Sequence, residues 1–245
     1  MITGENRIEE ENVCKFFFIT LEPMDLLTLT LEINVKVLEF LMVNDDHLKL
    51  AGQFIFPSFR AKYEGISDRL NIRKTKYYKP TGGQTIDLHK QDYFQELIKL
   101  IQESVLKIAE HFYQAKQGYK VEVVSMWLNS KPTGINHPPH NHTNTFISGV
   151  LYLDGEEKTY PSLKLLRPYQ LPIVPLVDKF NEINSNVIEL LTAKDEVIFF
   201  PSYLLHFVDT NLNEKPRISI AFDTLLRGKY GEIRENGLTV GNFKI

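Results

Sequence analysis

The chain has 245 residues and a formal net charge of −3, with 43% hydrophobic and 24% charged residues. It is long enough to bury a sizeable core, and its small net charge excludes a general electrostatic attraction to nucleic acid or to anionic membranes. The single cysteine, Cys14, excludes an internal disulfide and any cysteine-rich zinc or iron–sulfur site.

The N-terminal part of the chain is expected to lead into the fold rather than to direct export. Residues 1–13 are polar and acidic, unlike a signal peptide, and no apolar run approaches the length of a membrane span. We therefore expect a cytoplasmic protein that does not contact a membrane. Lys15–Leu21 predicts a strand, and Leu26–Val43 predicts a helix despite its β-branched residues.

The segment Phe54–Lys79 is the most basic part of the chain, and it also contains several aromatic residues. Such a mixture can form a nucleic-acid or phosphate surface. The alternative is a solvated face near the rim of a pocket, which we favour, so nucleic acid is not expected as a partner. The basic residues are Arg60, Lys62, Arg69, Arg73, Lys74, Lys76 and Lys79.

The segment Gln91–Gln114 has its apolar residues at helical spacing and predicts an amphipathic helix that backs a sheet. After it, Val121–Asn129 alternates as a strand does. Trp127 and Asn129 share one face of this strand and are candidates for lining a pocket, although a lone tryptophan is more often part of a core.

Three of the seven histidines, His137, His140 and His142, lie within six residues of one another. If residues 140–142 are extended, His140 and His142 project from the same face and can reach one metal ion. His137 is separated from them by two prolines and is expected to point elsewhere. If the register continues into the next strand, Tyr152 points inward, either to bond a cosubstrate or only to complete the barrel.

A second polar cluster surrounds two strand-like runs, Glu196–Phe200 and Arg217–Phe222, which are joined by a turn-rich link that contains His206. In the second run Arg217 and Ser219 alternate with apolar residues, and Ala221 and Asp223 continue the same face. A buried arginine needs an anion, and its planar fork suits a carboxylate, to which Ser219 can add a hydrogen bond. The alternative is a surface arginine at the start of an edge strand.

The order of these motifs resembles the Fe(II)/2-oxoglutarate-dependent oxygenases of the double-stranded β-helix, or jelly-roll, fold. More narrowly, it is similar to a subfamily of 2-oxoglutarate oxygenases of bacteria and bacteriophages, most of which have no assigned substrate. The resemblance covers roughly residues 80–225. It rests on G-G-Q-T-I-D-L at Gly82–Leu88, W-L-N at Trp127–Asn129, H-N-H at His140–His142, S-G-V-L-Y-L at Ser148–Leu153, F-F-P-S at Phe199–Ser202, His206, and R-I-S-I-A-F at Arg217–Phe222.

The resemblance implies that His140 and His206 bind iron, and that Arg217 with Ser219 holds the distal carboxylate of 2-oxoglutarate. Tyr152, Trp127 and Asn129 are further candidates for contacting the cosubstrate. Most enzymes of this superfamily use two histidines and one carboxylate, whereas His142 stands at the carboxylate position here.

A site of three histidines is also a zinc arrangement, so iron and zinc both stay open. Asp154 and Asp209 are the nearest carboxylates in the sequence that could replace His142, and neither is preferred to it.

The expected fold is mainly β, a cupin-like jelly roll with N-terminal α-helices packed on one sheet. We expect one domain, with a supporting α/β region in residues 1–120, the jelly-roll core in 121–226 and a tail in 227–245. The expected function is a dioxygenase that uses Fe(II), 2-oxoglutarate and O2 to hydroxylate a C–H bond. The alternatives are a three-histidine cupin-like metalloenzyme that does not use 2-oxoglutarate, and a non-catalytic binding module. The primary substrate and the oligomeric state, including a homodimer, stay open.

Overall fold

The computed structural model describes residues 48–50, 57–115, 118–154, 162–169, 176–181, 184–233 and 239–244. All of them belong to one compact unit, Met42–Ile245. The strand predicted at Lys15–Leu21 and the helix predicted at Leu26–Val43 lie outside the described residues. The division of the chain at residues 120 and 226 stays a prediction.

Most of the described residues form antiparallel β-strands, and the fold is mainly β as expected. The strands are, in chain order, β1 (Leu48–Leu50), β2 (Phe59–Lys62), β3 (Gly83–Thr85), β4 (Lys120–Lys131), β5 (His137–His140), β6 (Ile147–Tyr152), β7 (Leu163–Leu166), β8 (Val187–Leu190), β9 (Glu196–Pro201), β10 (His206–Val208), β11 (Arg217–Arg227), β12 (Lys229–Ile233) and β13 (Thr239–Lys244).

Two sheets make the jelly roll. The larger sheet has the order β1-β2-β9-β6-β11-β4-β3, and the smaller sheet has the order β5-β10-β7-β8. The chain passes back and forth between them, so the link between β9 and β11 is a crossing that contributes β10 to the smaller sheet. A separate hairpin, β12–β13, follows β11. The jelly-roll prediction is confirmed.

The interior between the sheets is filled by apolar side chains from both. Tyr152, Ile198 and Phe200 come from the larger sheet, and they pack in one cluster with Leu163, Leu165, Leu190 and Val208 of the smaller one. Side chains alternate between the two faces of a strand. On β11, the apolar residues Ile218, Ile220 and Phe222 therefore fall on the outer face of the larger sheet, away from this interior. The larger sheet is therefore covered on both faces.

Helix α1 (Ile66–Leu70) is short, whereas α2 (Gln95–His111) is the long helix that the sequence predicts. Its apolar stripe, Leu97, Ile98, Ile101, Val105 and Ile108, is buried in the same cluster as the outer face of the larger sheet. The helix therefore backs that sheet, as predicted. No helix among the described residues is long and apolar enough to cross a membrane.

Strand β5 is an edge strand of the smaller sheet and contains two consecutive prolines, Pro138 and Pro139. Proline has no backbone N–H and is confined to sheet edges for this reason. The edge position of β5 thus follows from its own sequence. On its inner side β5 pairs with β10, with His140 opposite His206.

We expect the contact between α2 and the sheet to contribute strongly to the free energy of unfolding. Ile101 is fully buried (0% exposed), so Ile101→Ala should destabilise the protein by about 2–5 kcal/mol through lost burial and a residual cavity. The same substitution at Ile86, which is 68% exposed, should change stability by no more than about 0.5 kcal/mol. Urea denaturation of both variants measures the difference, and equal effects would contradict this packing.

Candidate metal centre

Three histidines from two neighbouring strands converge on one point. His140 ends β5, His142 follows two residues later, and His206 begins β10. One nitrogen from each ring can be chosen so that all three lie within 4.8 Å of one another. The pairing of β5 with β10, which sets His140 opposite His206, creates this convergence. Three imidazoles at this spacing can bind one divalent metal ion.

Hydrogen bonds at Nδ1 define which ring nitrogen is available in each histidine. His140 Nδ1 donates to the carbonyl oxygen of Pro138 at 2.9 Å, and His206 Nδ1 donates to that of Leu204 at 3.0 Å. His142 Nδ1 donates to Asp223 Oδ1. A neutral imidazole that carries its proton on Nδ1 has its lone pair on Nε2. All three rings therefore offer Nε2 as the metal ligand.

Burial keeps two of the converging histidines, His140 and His206, uncharged, and metal binding requires an uncharged imidazole. Burial lowers the pKa of His206 to about 3, and it also lowers the pKa of His140. His137 is not one of the three converging histidines, but the expectation that it points elsewhere is wrong, because it lines the same cleft and stacks on His140 with ring centroids 4.5 Å apart. Its pKa falls to about 4 because of burial and, next, the positive charge of Lys131.

Asp223, for which the sequence predicts no role, is in direct contact with this group. Asp223 is 8% exposed, and its Oδ1 accepts hydrogen bonds from His142 Nδ1 and, at 2.6 Å, from Ser148 Oγ. Ser148 Oγ also lies 2.9 Å from Ser202 Oγ. The alternation along β11 indicated that Asp223 shares a face with Arg217. Its contact with His142 could not be read from that alternation, because the two residues are 81 positions apart.

The two carboxylates considered as replacements for His142 are engaged elsewhere. Asp154 accepts hydrogen bonds from Arg73 Nη2 at 2.5 Å and from the backbone N–H of Ile218 at 3.1 Å. Asp209 forms an ion pair with Lys164. Neither belongs to the group of converging ligands, which holds His142 as its third member.

A group of buried hydrogen-bond donors that could bind an anion lies in the same cleft as the histidines. Arg217 is 4% exposed, and its guanidinium carbon lies 5.6 Å from the ring centroid of Tyr152. Tyr152 Oη and Ser219 Oγ are buried and have no hydrogen-bond partner among the described residues. Arginine, serine and tyrosine together offer N–H and O–H donors for one oxygen-rich group.

Trp127 and Asn129 also line this cleft, as their alternation predicted. The Trp127 ring centroid lies 5.5 Å from that of His142. Asn129 Oδ1 accepts a hydrogen bond from Gln84 Nε2 at 2.9 Å, which orients the amide. The structure thus brings together all eight residues that the sequence singled out for the site, while their individual roles stay predictions.

Four of the seven basic residues in the stretch 54–79 pair with neighbouring acids. Arg60 pairs with Glu196 at 2.8 Å, and Arg69 pairs with Glu96 at 2.9 Å. Arg73 is held by Asp154, and Lys62 lies 3.2 Å from Glu64. This pairing favours the interpretation of the stretch as a solvated face near the cleft.

Two facing antiparallel sheets with a histidine-lined cleft between them define a jelly-roll protein with a candidate metal centre. Residues 125–223 match the family described as "Putative 2OG-Fe(II) oxygenase". The matched segment contains the three histidines, Arg217, Ser219 and Asp223. It therefore confirms the resemblance found in the sequence and supports an oxidoreductase of this kind. No curated protein matches the sequence.

Solved structures resemble the fold at low sequence identity. The non-heme alpha-ketoglutarate-dependent epimerase SnoN from nogalamycin biosynthesis aligns with a TM-score of 0.51 and 13% identity, over 83% of this chain and 86% of its own. HygX from Streptomyces hygroscopicus with iron bound aligns with a TM-score of 0.49 and 9% identity, over 78% and 93%. A Pseudomonas putida prolyl-4-hydroxylase gives 0.48 and 13%, over 71% and 94%. At 13% identity the likeness to SnoN shows the fold alone.

We expect His140, His142 and His206 each to be necessary for tight metal binding. Replacing any one with alanine removes a ligand and should lower Co(II) affinity by at least about 100-fold, more than loss of an outer-shell partner does. Cobalt titration followed by visible absorption measures this. His111→Ala is the control, because His111 lies at the end of α2 and is exposed. Unchanged affinity in a cleft variant would remove that residue from the ligand set.

Proposed function

We propose that the protein is an Fe(II)- and 2-oxoglutarate-dependent dioxygenase that hydroxylates a C–H bond of a primary substrate. One observation carries this proposal: a cleft that combines three converging histidines with a buried arginine flanked by two unsatisfied hydroxyls. 2-Oxoglutarate has a 2-oxo acid at one end and a carboxylate at the other. The cleft offers a metal centre for the first and the Arg217 pocket for the second.

Two buried hydroxyls without hydrogen-bond partners support binding of the cosubstrate's carboxylate in this cleft. A buried hydroxyl without a partner costs about 1–3 kcal/mol, and both Tyr152 Oη and Ser219 Oγ, which line the same cleft as Arg217, are in this condition. A carboxylate has two oxygens that together accept several hydrogen bonds. One distal carboxylate can therefore satisfy the hydroxyls and pair with the guanidinium.

A second cation strengthens the case for an anion at this point. Lys131 lies directly opposite Arg217 in the register of β4 and β11. Like charges directly opposite on neighbouring strands are destabilising. Burial, and then the positive charge of Arg217, lower the pKa of Lys131 accordingly. An anion between the two side chains would remove this repulsion.

The donor set also fits the metal. Three neutral imidazoles suit Fe(II) and zinc alike, and the neighbouring anion pocket favours the metal that works with a 2-oxo acid. When bound together, Fe(II) and 2-oxoglutarate supply the activation of O2, with decarboxylation of 2-oxoglutarate to succinate and CO2 and transfer of one oxygen atom to the substrate.

The chain's own residues would bind the metal, orient the cosubstrate and exclude water from the cleft. His140, His142 and His206 hold the metal through Nε2, while Arg217 and Ser219 fix the distal carboxylate and hence the orientation of the whole cosubstrate. Apolar side chains from both sheets, Leu163, Phe200 and Val208, also line the cleft and help to keep it dry. Water exclusion strengthens each polar contact in the cleft, and the cofactors then carry the difficult chemistry.

Anaerobic titration of the Fe(II)-loaded protein with 2-oxoglutarate tests the proposal directly. A visible charge-transfer absorption should appear in the wild type. Arg217→Ala should raise the dissociation constant for 2-oxoglutarate by roughly 100-fold or more, because it removes a buried charge partner worth several kcal/mol. Arg227→Ala is the matched control, since Arg227 lies on the same strand, is more exposed and pairs with Glu122.

Absence of the absorption in wild type, with zinc retained instead of iron, would favour the three-histidine metalloenzyme that does not use 2-oxoglutarate. Absence of any metal binding would favour a binding module.

We expect Lys131 to contribute to binding of the distal carboxylate. Lys131→Met should raise the dissociation constant for 2-oxoglutarate by about tenfold, the equivalent of one charge-assisted contact. Binding of 2-oxobutyrate, which has no distal carboxylate, should be unaffected by the same substitution. Lys120→Met is the control, because Lys120 lies opposite Arg227 at the exposed end of the same two strands. Equal weakening of both 2-oxo acids would contradict this role.

A further inference from the structure

We infer that Asp223 is a positioning residue that supplies negative charge to the metal centre through His142. Together, His142 as the ligand and Asp223 as its charged partner would supply the coordination and the negative charge that a single carboxylate ligand supplies. This inference rests on the metal site of the proposed function, but it does not depend on 2-oxoglutarate. Asp223 is not itself a member of the group of converging ligands.

The three histidines differ in the partner at Nδ1. His140 and His206 donate to backbone carbonyls, of Pro138 and Leu204, each two residues before the histidine. His142 alone donates to a carboxylate. A carboxylate partner makes the imidazole more basic and fixes its tautomer and ring orientation. The histidine at the sequence position where the superfamily has its carboxylate is therefore the one that a carboxylate supports.

The charge of the site gives this contact its importance. A divalent ion bound by three neutral imidazoles keeps its full double charge, whereas a carboxylate ligand would reduce it. The cleft already contains Arg217, with Lys131 opposite it. A buried carboxylate one hydrogen bond from the metal ligand offsets part of this positive charge, and at low local dielectric its effect is larger than in water.

The fold holds the carboxylate in place from two sides. Ser148 Oγ donates its single proton to Asp223 Oδ1 at 2.6 Å. Ser148 Oγ also lies 2.9 Å from Ser202 Oγ. The backbone N–H of His142 donates to the carbonyl oxygen of Ser202 at 2.9 Å, which closes the network. Each member is thus located by another, and such shared support is typical of an outer-shell group that orients a ligand.

A local irregularity of β11 occurs at this residue. The pairing of β11 with β4 shifts register between Asp223 and Thr224. A β-bulge re-aims a side chain and is common beside active sites. The shift separates Asp223, which faces His142, from Thr224, whose hydroxyl bonds the carbonyl oxygen of Ile147.

Asp223→Asn tests the charge with little change of shape, because the amide oxygen can still accept the bond from His142 Nδ1. We expect its Co(II) affinity, measured by chelator competition without 2-oxoglutarate, to fall about 10- to 100-fold. The reduction potential of the iron-loaded protein should move to a more positive value, because loss of negative charge disfavours Fe(III). A purely structural role would not move the potential.

Two controls separate charge from hydrogen bonding. Ser148→Ala removes the other hydrogen bond to the same carboxylate oxygen and keeps the charge, so its potential should shift much less than that of Asp223→Asn. Asp209→Asn removes the same charge at an exposed site and should change neither quantity. The inference is overturned if Asp223→Asn binds Co(II) within about threefold of wild type, or if Ser148→Ala shifts the potential equally.

The wild-type protein offers a measurement that does not require a variant to fold. In the zinc-loaded protein, the Nδ1 proton of His142 should resonate further downfield than those of His140 and His206, because only its bond is charge-assisted. Three similar resonances would overturn the inference. Because zinc and cobalt are used without cosubstrate, failure of 2-oxoglutarate to bind would refute the proposed function and leave this result intact.

Discussion

The pairing of β11 between β4 and β6 is the constraint on which the site depends. Side chains alternate along β11, so one face enters the apolar cluster beneath α2, while the other carries Arg217, Ser219 and Ala221 into the cleft and places Asp223 against His142. The same register brings Asn129 and Tyr152 beside Ser219, and Ser148 beside Asp223. A slip of one residue would turn every one of these groups to the opposite face. Burial of the apolar face therefore fixes the register of β11, and this register in turn fixes the positions of the polar side chains.

Local sequence pattern was sufficient for most of the architecture. Apolar residues at helical spacing identified α2, and alternation identified β4 and β11, because each of these elements is long enough to show its period. The pairing of residues 140 and 142 with a distal histidine identified the converging group, and alternation alone indicated that Tyr152, Trp127 and Asn129 face the cleft. These features depend on neighbours in sequence or on strict periodicity.

What the sequence did not reveal depends on contacts between distant segments. The bond from His142 to Asp223 joins residues 81 positions apart, and it requires both the pairing of β6 with β11 and the register shift at Asp223. The opposition of Lys131 and Arg217 likewise requires the exact register of two long strands. Asp154, a candidate metal ligand in the sequence, instead pairs with Arg73, and nothing in the local sequence of Asp154 predicts this pair.

The two prolines of β5 limit how a substrate can approach the metal. An extended peptide often binds a protein by adding a strand to an exposed sheet edge, where main-chain hydrogen bonds supply affinity. At β5 the donors of Pro138 and Pro139 are missing, and one of the remaining carbonyls is already used by the His140 ring. A polypeptide strand added at this edge would therefore form fewer backbone hydrogen bonds than at an edge without proline. Binding of a peptide at this edge would depend more on side chains than on main-chain hydrogen bonds.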